Sequence, residues 1–417
     1  MNFKLIVILL ALLGTLYNLM LNVVRLFSAN NPTPENLKDV YDAETYNKWK
    51  QYSREHSKLE ILSTLISGAV TVVLLLTNVY AWVAGLFPKT WVYQLIAVVL
   101  LESIVGAIVG TAISYVSTMK IEQKYGFNRS TMKTFAKDRI ISFIAGTVLS
   151  IVFALLIAAC YRALGVLMIP VFVAVAFIFT LIASFIYPLI SRIGNKFTPL
   201  EEGELKDSLM KLLNKYGYKV KAIEVMDASR RTTKLNAYFT GFGKMKRIVL
   251  YDNLINAMTP DEICAVFAHE LGHGLNKDVQ KAQVLNVFQL LLMAVMAWGI
   301  LIVPEIYTDL GFESINYGFT YVVLGIGFGI LQPLIGLVMN ARSRKAEFRA
   351  DRQAVIEGYG ESMISAFKKL ARDNFSHLAP SFINVVLEYS HPPLNQRVKR
   401  VEREMKKLAK QRAKKAK

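Results

Sequence analysis

Seven apolar stretches, each about twenty residues long, constrain this chain more than any other feature. A run of about 20 apolar residues can cross the hydrocarbon core of a bilayer as a helix. Such a helix satisfies all its backbone hydrogen bonds internally, as a segment in lipid must. The sequence therefore predicts a mainly α-helical, integral-membrane fold with seven transmembrane helices. The stretches are 3–24, 61–87, 92–115, 140–161, 166–187, 284–303 and 319–339.

The charged residues are few and strongly biased towards basic ones. The chain has 417 residues, of which 53% are hydrophobic and 19% charged, and its formal net charge is +18. Soluble domains typically have about 25% charged residues. Here the basic residues flank the apolar stretches instead of forming a stripe on a soluble surface, so we expect no nucleic-acid partner. The two cysteines, Cys160 and Cys264, predict neither a disulfide nor a thiolate metal site.

The loops alternate in basic charge, which predicts an orientation. The first loop and the loop after the third stretch are rich in lysine and arginine, whereas the opposite loops carry only Lys89 and Arg162 as basic residues. Since basic loops stay in the cytoplasm, the N-terminus is predicted outside and the C-terminus inside. The polar stretch 191–279 and the C-terminal segment then face the same cytoplasmic side.

Four regions are expected along the chain. Residues 1–190 contain the first five transmembrane helices and 191–280 a cytoplasmic α+β unit. Residues 281–340 contain the last two transmembrane helices, and 341–417 form a cytoplasmic segment with a basic tail. Within the α+β unit, β-branched and aromatic runs at 221–226, 236–242 and 247–251 predict a short sheet.

A metal-binding motif lies on a helix that is predicted to begin at Thr259. Thr259 suits the N-cap and Glu262 the reciprocal position of a capping box. The helix continues to His269-Glu270-Leu-Gly-His273, where the histidines at i and i+4 share one face and can bind one zinc ion. Glu270 is placed to act as the general base towards a zinc-activated water.

A catalytic zinc site of this kind needs a third protein ligand. His56, His377, His391 and several carboxylates are candidates. Glu347 and Asp351 stand one turn apart on a helix that continues the seventh stretch without a breaker. This spacing suits one carboxylate that binds the metal and a second that orients a histidine ligand.

These motifs resemble the type I CAAX prenyl proteases, integral-membrane zinc endopeptidases, and their bacterial relatives. The matching segments occur in the family's order, from the loop after the third stretch almost to the end. They are IEQKYGFN at 121–128, NKFTPL at 195–200, NAYF at 236–239, HELGH at 269–273, SRxxEFxAD at 343–351 and HPPxxxR at 391–397.

The resemblance implies seven helices around a large intramembrane chamber, with one zinc ion per chain at the cytoplasmic end. It implies that Glu347 is the third ligand and Asp351 its partner. His391 and Arg397 are expected near the scissile peptide, where His391 can stabilise the oxyanion. The strand with Asn236 and Tyr238 is expected to bind substrate as an added strand. Glu102, in the middle of the third stretch, is expected to face the hydrated chamber.

One departure concerns the source of the chain. Gly274 follows the second histidine, where eukaryotic members of the family are expected to have tryptophan or another large residue. The chain is also shorter than expected of those members. Both features favour a prokaryotic member in the bacterial inner membrane, with the endoplasmic reticulum as the alternative for a eukaryotic one.

Three functions are compatible with these features. The first is a zinc endopeptidase that cleaves near the C-terminus of peptides, prenylated ones included, with no obligate protein partner. The second is a membrane quality-control protease of the heat-shock type. The third is a transporter with an incidental motif, whose transport would survive Glu270→Gln. Cleavage of a farnesylated peptide at a fixed bond separates the first function from the second.

Overall fold

Long helices dominate the structure, a computed structural model that describes residues 2–190, 192, 195–240 and 246–415. The first six helices precede the α+β unit. They are α1 (Phe3–Ser28), α2 (Ala43–Leu76), the short α3 (Val79–Gly85), α4 (Trp91–Tyr115), α5 (Met132–Leu164) and α6 (Met168–Ile190).

Six helical stretches among the described residues are long and apolar enough to cross a membrane. One of them, Met132–Ile182, contains α5 and most of α6. A 3-10 turn at Gly165–Leu167 separates these two helices, and Gly165 adopts a φ of 54° that other residues rarely adopt. Each of the seven predicted transmembrane helices thus overlaps one of the six stretches.

The second predicted stretch, 61–87, has the wrong boundaries. Helix α2 begins far earlier, at Ala43, where the Asp42 side chain accepts a hydrogen bond from the Thr45 backbone N–H. It ends at Leu76, because Asn78 takes a left-handed conformation (φ 54°) that starts the separate helix α3. The polar first half of α2 therefore projects out of the membrane towards the α+β unit.

A partly buried polar cluster connects that projecting half of α2 to the rest of the protein. Helix α4 continues as a π-helical stretch, Val116–Glu122. The Glu122 carboxylate accepts hydrogen bonds from the Tyr52 hydroxyl of α2 (2.6 Å) and from Lys234 Nζ (3.0 Å). The His56 Nε2 lies 3.3 Å from the same oxygen. The charge of Glu122 is thus engaged within the protein.

The α+β unit contains a four-stranded sheet. Its strands are β1 (Phe197–Pro199), β2 (Ala222–Met226), β3 (Ala237–Thr240) and β4 (Arg247–Tyr251), in the order β1-β2-β4-β3. β2 and β4 are parallel, and the two outer pairs are antiparallel. The three predicted strands are present, although 241 and 242 of the second lie outside the described residues. β1 was not predicted as a strand.

Helices cover one face of this sheet. They are α7 (Glu204–Lys215), α8 (Asp252–Ala257) and α9 (Pro260–Leu275). Ile248 and Leu250 of β4 share a core with Leu213 and Phe267 from these helices. The predicted capping box at Thr259 and Glu262 starts α9. The motif helix is therefore anchored by its cap and by the sheet.

The remaining helices connect the unit back to the membrane spans. They are α10 (Asp278–Leu301), α11 (Glu305–Thr308), α12 (Tyr317–Ile356), α13 (Gly360–Asp373), α14 (Phe382–Leu387) and α15 (Leu394–Lys415). As expected, α12 runs from the last apolar stretch into the polar C-terminal segment without a break. The first half of α15 is not a solvated tail, because Val398 and Val401 are buried in the core of the α+β unit.

An intramembrane cavity of about 580 Å³ lies among α1, α2 and α4. Polar side chains line much of it, among them Asn22, Ser63 and Ser67. Glu102 also faces this cavity, and its carboxylate accepts a hydrogen bond from the Tyr80 hydroxyl of α3. A mid-membrane carboxylate is costly unless it is hydrated or paired. The structure gives Glu102 both the expected polar cavity and a partner that the sequence did not reveal.

His377 links the end of α1 to the loop between α13 and α14. Its Nδ1 accepts a hydrogen bond from the Ala379 backbone N–H (3.2 Å), so the proton of the neutral ring is on Nε2. Nε2 lies 2.8 Å from the hydroxyl of Ser28, which donates in turn to the Arg25 carbonyl. Burial, and secondarily Arg25, lower the pKa of His377 from 6.5 to about 4.

This depressed pKa predicts acid sensitivity of the fold. The unfolded chain binds the His377 proton below pH 6.5 but the folded protein only near pH 4. The contribution of neutral His377 to the free energy of unfolding is therefore complete above pH 6.5 and is lost as the pH falls towards 4. Between pH 7.5 and pH 5 we expect the free energy of unfolding to fall by up to about 2 kcal/mol. Thermal unfolding of the metal-free protein in detergent should show a smaller pH dependence for His377→Gln, and an equal dependence would contradict this role.

Candidate metal centre

Two imidazoles from one helix and a carboxylate from another converge on one point. His269 and His273 lie one turn apart on α9, with ring centroids 4.8 Å apart and ring planes nearly perpendicular. Their Nε2 atoms lie 3.5 Å and 3.3 Å from the two carboxylate oxygens of Glu347 on α12. One ligand atom from each residue lies within 4.8 Å of the others. Two imidazoles and one carboxylate are a common protein ligand set of catalytic metal sites.

Glu347 reaches the histidines because α9 and α12 approach closely at Gly272. A Cβ atom on Gly272 would lie 2.9 Å from the Cα of Ala350 and 3.0 Å from the Cβ of Gln353. Real Cβ atoms do not approach a backbone atom that closely, so a larger residue would push the helices apart. The glycine between the two histidines therefore brings the α12 carboxylate within reach.

Carboxylates orient both imidazoles. His269 Nδ1 lies 2.9 Å from Asp351 Oδ1, and His273 Nδ1 lies 3.1 Å from Asp278 Oδ2. An ionised carboxylate can only accept, so the proton of each neutral ring is placed on Nδ1. Each Nε2 then presents its lone pair towards Glu347. Such carboxylate–histidine pairs fix the tautomer and raise the basicity of a metal-ligating imidazole.

The electrostatics of the group fit a bound cation. Glu347 Oε2 is buried and forms no hydrogen bond among the described residues, although the Arg397 guanidinium lies 3.3 Å away. Burying a carboxylate oxygen without a hydrogen bond is costly, and a bound cation would lower that cost. Although burial alone would lower the pKa of His273, the carboxylates of Glu347 and Asp278 raise it to about 9. A site that stabilises an extra proton so strongly would also stabilise a divalent metal ion in its place.

Arg397 binds the carboxylate of Asp351. Its Nε and one terminal nitrogen donate to the two oxygens of Asp351 at 3.0 Å and 2.6 Å. The same terminal nitrogen lies 3.3 Å from Glu347 Oε2, and the guanidinium stacks 4.1 Å from the ring centroid of Phe367. Arg397 was expected near the scissile peptide. It does line the cavity beside the motif, yet its guanidinium is engaged by protein carboxylates.

His391 lies on the open side of the group. Its Nε2 is 3.3 Å from Glu347 Oε1, and its side chain is 63% exposed. Nδ1 lies 2.9 Å from the hydroxyl of Ser390. Of the residues in the group, His391 is the one with most of its ring accessible to a ligand.

A cavity of about 490 Å³ opens beside the metal ligands. Glu270 and His391 line it, together with Asn236, which immediately precedes strand β3. Tyr238 was expected to bind substrate with Asn236, but it packs with Met226 and Val249 in the small core on the sheet face opposite to α9. Leu254, Val266, Met363, Phe367 and Leu370 form an apolar part of the wall.

Of the other histidines considered as a third ligand, His391 lies beside Glu347, whereas His56 and His377 contact other residues. His56 is beside Glu122. His377 lines the same cavity as the motif, but its ring nitrogens are engaged with Ser28 and Ala379. Within the part of the chain that the structure describes, only His269, His273 and Glu347 form a group of three such ligands.

Two further features of the site were not predicted from the sequence. Asp278 orients His273, and its other oxygen accepts from Arg349 (2.8 Å) on α12. In the sequence, this role of Asp278 is indicated only by the position of a carboxylate five residues after the second histidine. The second feature is the setting of Gly274, where a Cβ would lie 2.5 Å from the hydroxyl oxygen of Tyr218. Tyr218 thus occupies the space that a larger residue at 274 would need.

The position of Asp278 predicts an effect on metal affinity. Asp278→Asn keeps the shape of the side chain but weakens the acceptor for His273 Nδ1. Because loss of such an orienting partner typically costs about 10- to 100-fold in metal affinity, we expect a shift of that size in competition titrations with a zinc chelator. Asp261→Asn, a change of an exposed residue at the start of α9, is the matched control and should bind as the wild type does. Equal affinity of both variants would contradict the role of Asp278.

Two family models together match almost the whole chain. The model described as CAAX prenyl protease N-terminal, five membrane helices, matches residues 4–193. The model of peptidase family M48 matches residues 199–405. The boundary between them coincides with the start of the α+β unit.

Curated proteins and a solved structure are similar over nearly the full length. The CAAX prenyl protease 1 homolog of Arabidopsis thaliana is 31% identical, with 93% of this chain and 94% of that protein covered. The CAAX prenyl protease 1 of Saccharomyces cerevisiae is also 31% identical, with 88% and 87% covered. The crystal structure of S. mikatae Ste24p superposes with a TM-score of 0.89 at 26% identity, covering 96% of this chain and 99% of that one.

Proposed function

We propose that this chain is a multi-pass membrane zinc endopeptidase acting on CAAX-type peptides. The chain belongs to peptidase family M48 and carries the family's CAAX prenyl protease N-terminal region. The observation that carries the proposal is the convergence of His269, His273 and Glu347 beside the Glu270 carboxylate. The names of its relatives support CAAX-type substrates.

Zinc is the metal that the donor set favours. Two neutral imidazoles and one carboxylate, with a position left open, suit a catalytic zinc site. When bound, zinc acts as a Lewis acid towards the scissile carbonyl and makes a water molecule acidic near neutral pH. His269, His273 and Glu347 are the proposed ligands, and Asp351 and Asp278 hold the two imidazoles in place.

Glu270 is the proposed general base. It follows His269 on α9 and lines the cavity in which a peptide would lie. Its carboxylate takes a proton from the attacking water and then delivers it to the nitrogen of the leaving amine, so that the same group is base and acid in turn.

His391 and Arg397 have different proposed roles. The exposed ring of His391 can donate a hydrogen bond to the oxyanion that develops on the scissile carbonyl. Arg397 is bound through two hydrogen bonds to Asp351. This supports a positioning role through Asp351 and His269 more than direct contact with the substrate.

The edge of the sheet is the proposed peptide-binding surface. β3 is an outer strand, and an extended peptide can add to such a strand through main-chain hydrogen bonds. Asn236 Oδ1 accepts from the Ala237 N–H (2.9 Å), which orients its amide to donate to a substrate carbonyl. The apolar wall of the cavity suits the aliphatic residues of a CAAX sequence. Tyr238 packs on the other sheet face and supports the strand.

The proposed location follows from the basic loops and the spans. The α+β unit with its metal ligands is placed on the cytoplasmic side. The bacterial inner membrane stays a prediction, motivated by Gly274 and chain length. The relatives described above are eukaryotic, and the Tyr218 ring gives Gly274 a local packing reason as well.

Substitution of the base tests the proposal. We expect Glu270→Gln to retain one zinc per chain, because no ligand is changed, and to lose at least about 100-fold in turnover, since acid–base catalysis of this kind contributes about 10²–10⁴-fold. The measurement is cleavage of a farnesylated CAAX peptide by purified protein in detergent, with zinc determined by elemental analysis. Wild type should cut at one fixed bond.

Ligand variants provide the comparison. His269→Ala and Glu347→Ala should lose both zinc and activity, which separates them from Glu270→Gln. Full zinc in both ligand variants would overturn the proposed site. Cleavage of unmodified, unfolded membrane proteins with no preference for the farnesylated peptide would instead favour a quality-control protease.

A further inference from the structure

A groove between α4 and α5 lies outside the catalytic site. It encloses about 730 Å³, and its walls are almost entirely apolar. Ile104, Ile108 and Ile140 line it while being 46%, 67% and 59% exposed. Both helices are candidate membrane spans, so these exposed faces contact lipid chains. Within a bilayer such a groove is filled by hydrocarbon.

One end of this apolar groove adjoins a polar cavity. Tyr115 and Met132 line the groove and also line a neighbouring cavity of about 460 Å³. The other residues of that cavity are almost all polar, and two of them, Lys120 and Arg129, are basic. The change from apolar to polar occurs where α4 ends and α5 begins, the level at which a span leaves the hydrocarbon core.

The basic charge of this cavity is not neutralised by the described residues that line it. No carboxylate lines the cavity among the described residues. The nearby acids are engaged elsewhere, Glu122 by Lys234 (3.0 Å) and Asp138 by Arg231 (2.7 Å). Lys120 Nζ lies 5.7 Å from the ring centroid of Tyr115. The Arg129 backbone N–H donates to the Arg231 carbonyl at 3.0 Å, and its guanidinium donates to the Ser229 carbonyl at 3.5 Å.

We propose that the groove and the cavity together form a binding site for one anionic phospholipid. One acyl chain lies in the groove between α4 and α5, and the phosphate group lies in the cavity against Lys120 and Arg129. A prenyl chain alone could fill the groove, but it has no anionic group to match the two basic side chains. The junction at Tyr115 places an amphipathic ring where chain and headgroup meet.

Native mass spectrometry of the delipidated full-length protein tests the headgroup part. Phosphatidylglycerol and phosphatidylcholine with identical acyl chains are compared, and wild type should prefer phosphatidylglycerol. Lys120→Gln/Arg129→Gln should bind phosphatidylglycerol at least about 10-fold more weakly, because each basic residue near a lipid headgroup contributes about 5-fold. Phosphatidylcholine binding should change little.

The matched control removes the same charge next to the site. Lys133 and Lys137 are exposed on the first turns of α5 and line neither space, so Lys133→Gln/Lys137→Gln should bind phosphatidylglycerol as wild type does. Equal weakening by the two double variants would mean a general attraction to the basic loop and would overturn the site. Lack of preference for phosphatidylglycerol in the wild type would overturn it as well.

A second variant tests the groove. Ala112 lines it and is exposed, so Ala112→Phe fills the groove without entering the core. It should also weaken phosphatidylglycerol binding, by a factor similar to that of the double variant. Unchanged binding would show that no acyl chain lies there. Farnesyl compounds that displace phosphatidylglycerol and bind the Lys120→Gln/Arg129→Gln variant as well as wild type would assign the groove to a prenyl chain and contradict the proposal.

Discussion

The close approach of α9 and α12 at Gly272 is the contact on which the site depends. The metal ligands come from two helices that are far apart in sequence, and a Cβ at Gly272 would lie 2.9 Å from the α12 backbone at Ala350. The capping box and the sheet anchor α9, whereas α12 is the continuation of a membrane span. The contact therefore joins the membrane region to the α+β unit at the point where the chemistry is proposed.

Charge balance explains why so many ionisable groups share this small volume. Glu347, Asp351 and Asp278 bring three carboxylates to two histidines. Arg397 and Arg349 offset part of this charge through Asp351 and Asp278. The buried oxygen Oε2 of Glu347 forms no hydrogen bond among the described residues, although Arg397 lies 3.3 Å from it. We propose that a divalent cation between Glu347 and the imidazoles would complete this balance and offset the cost of burying these groups.

Local patterns predicted much of this arrangement. The apolar stretches, the capped motif helix and the Glu347–Asp351 spacing each depend on residues within a few turns of one another, and the structure has them. The separation of α2 from α3 at Asn78 was not predicted, because it depends on one left-handed residue inside an apolar run. The roles of Asp278 and Gly272, and the engagement of Arg397 by Asp351, depend on contacts between distant helices. Periodicity in one sequence contains no information on those.

We propose that one zinc ion is bound by His269, His273 and Glu347. X-ray absorption spectroscopy at the zinc edge of the purified protein can identify these ligands. With this ligand set we expect nitrogen and oxygen neighbours only, at about 2.0–2.2 Å, two imidazoles in the outer-shell scattering, and a changed spectrum for Glu347→Ala. Sulfur scattering at about 2.3 Å, or a spectrum that Glu347→Ala leaves unchanged, would show that other residues bind the zinc.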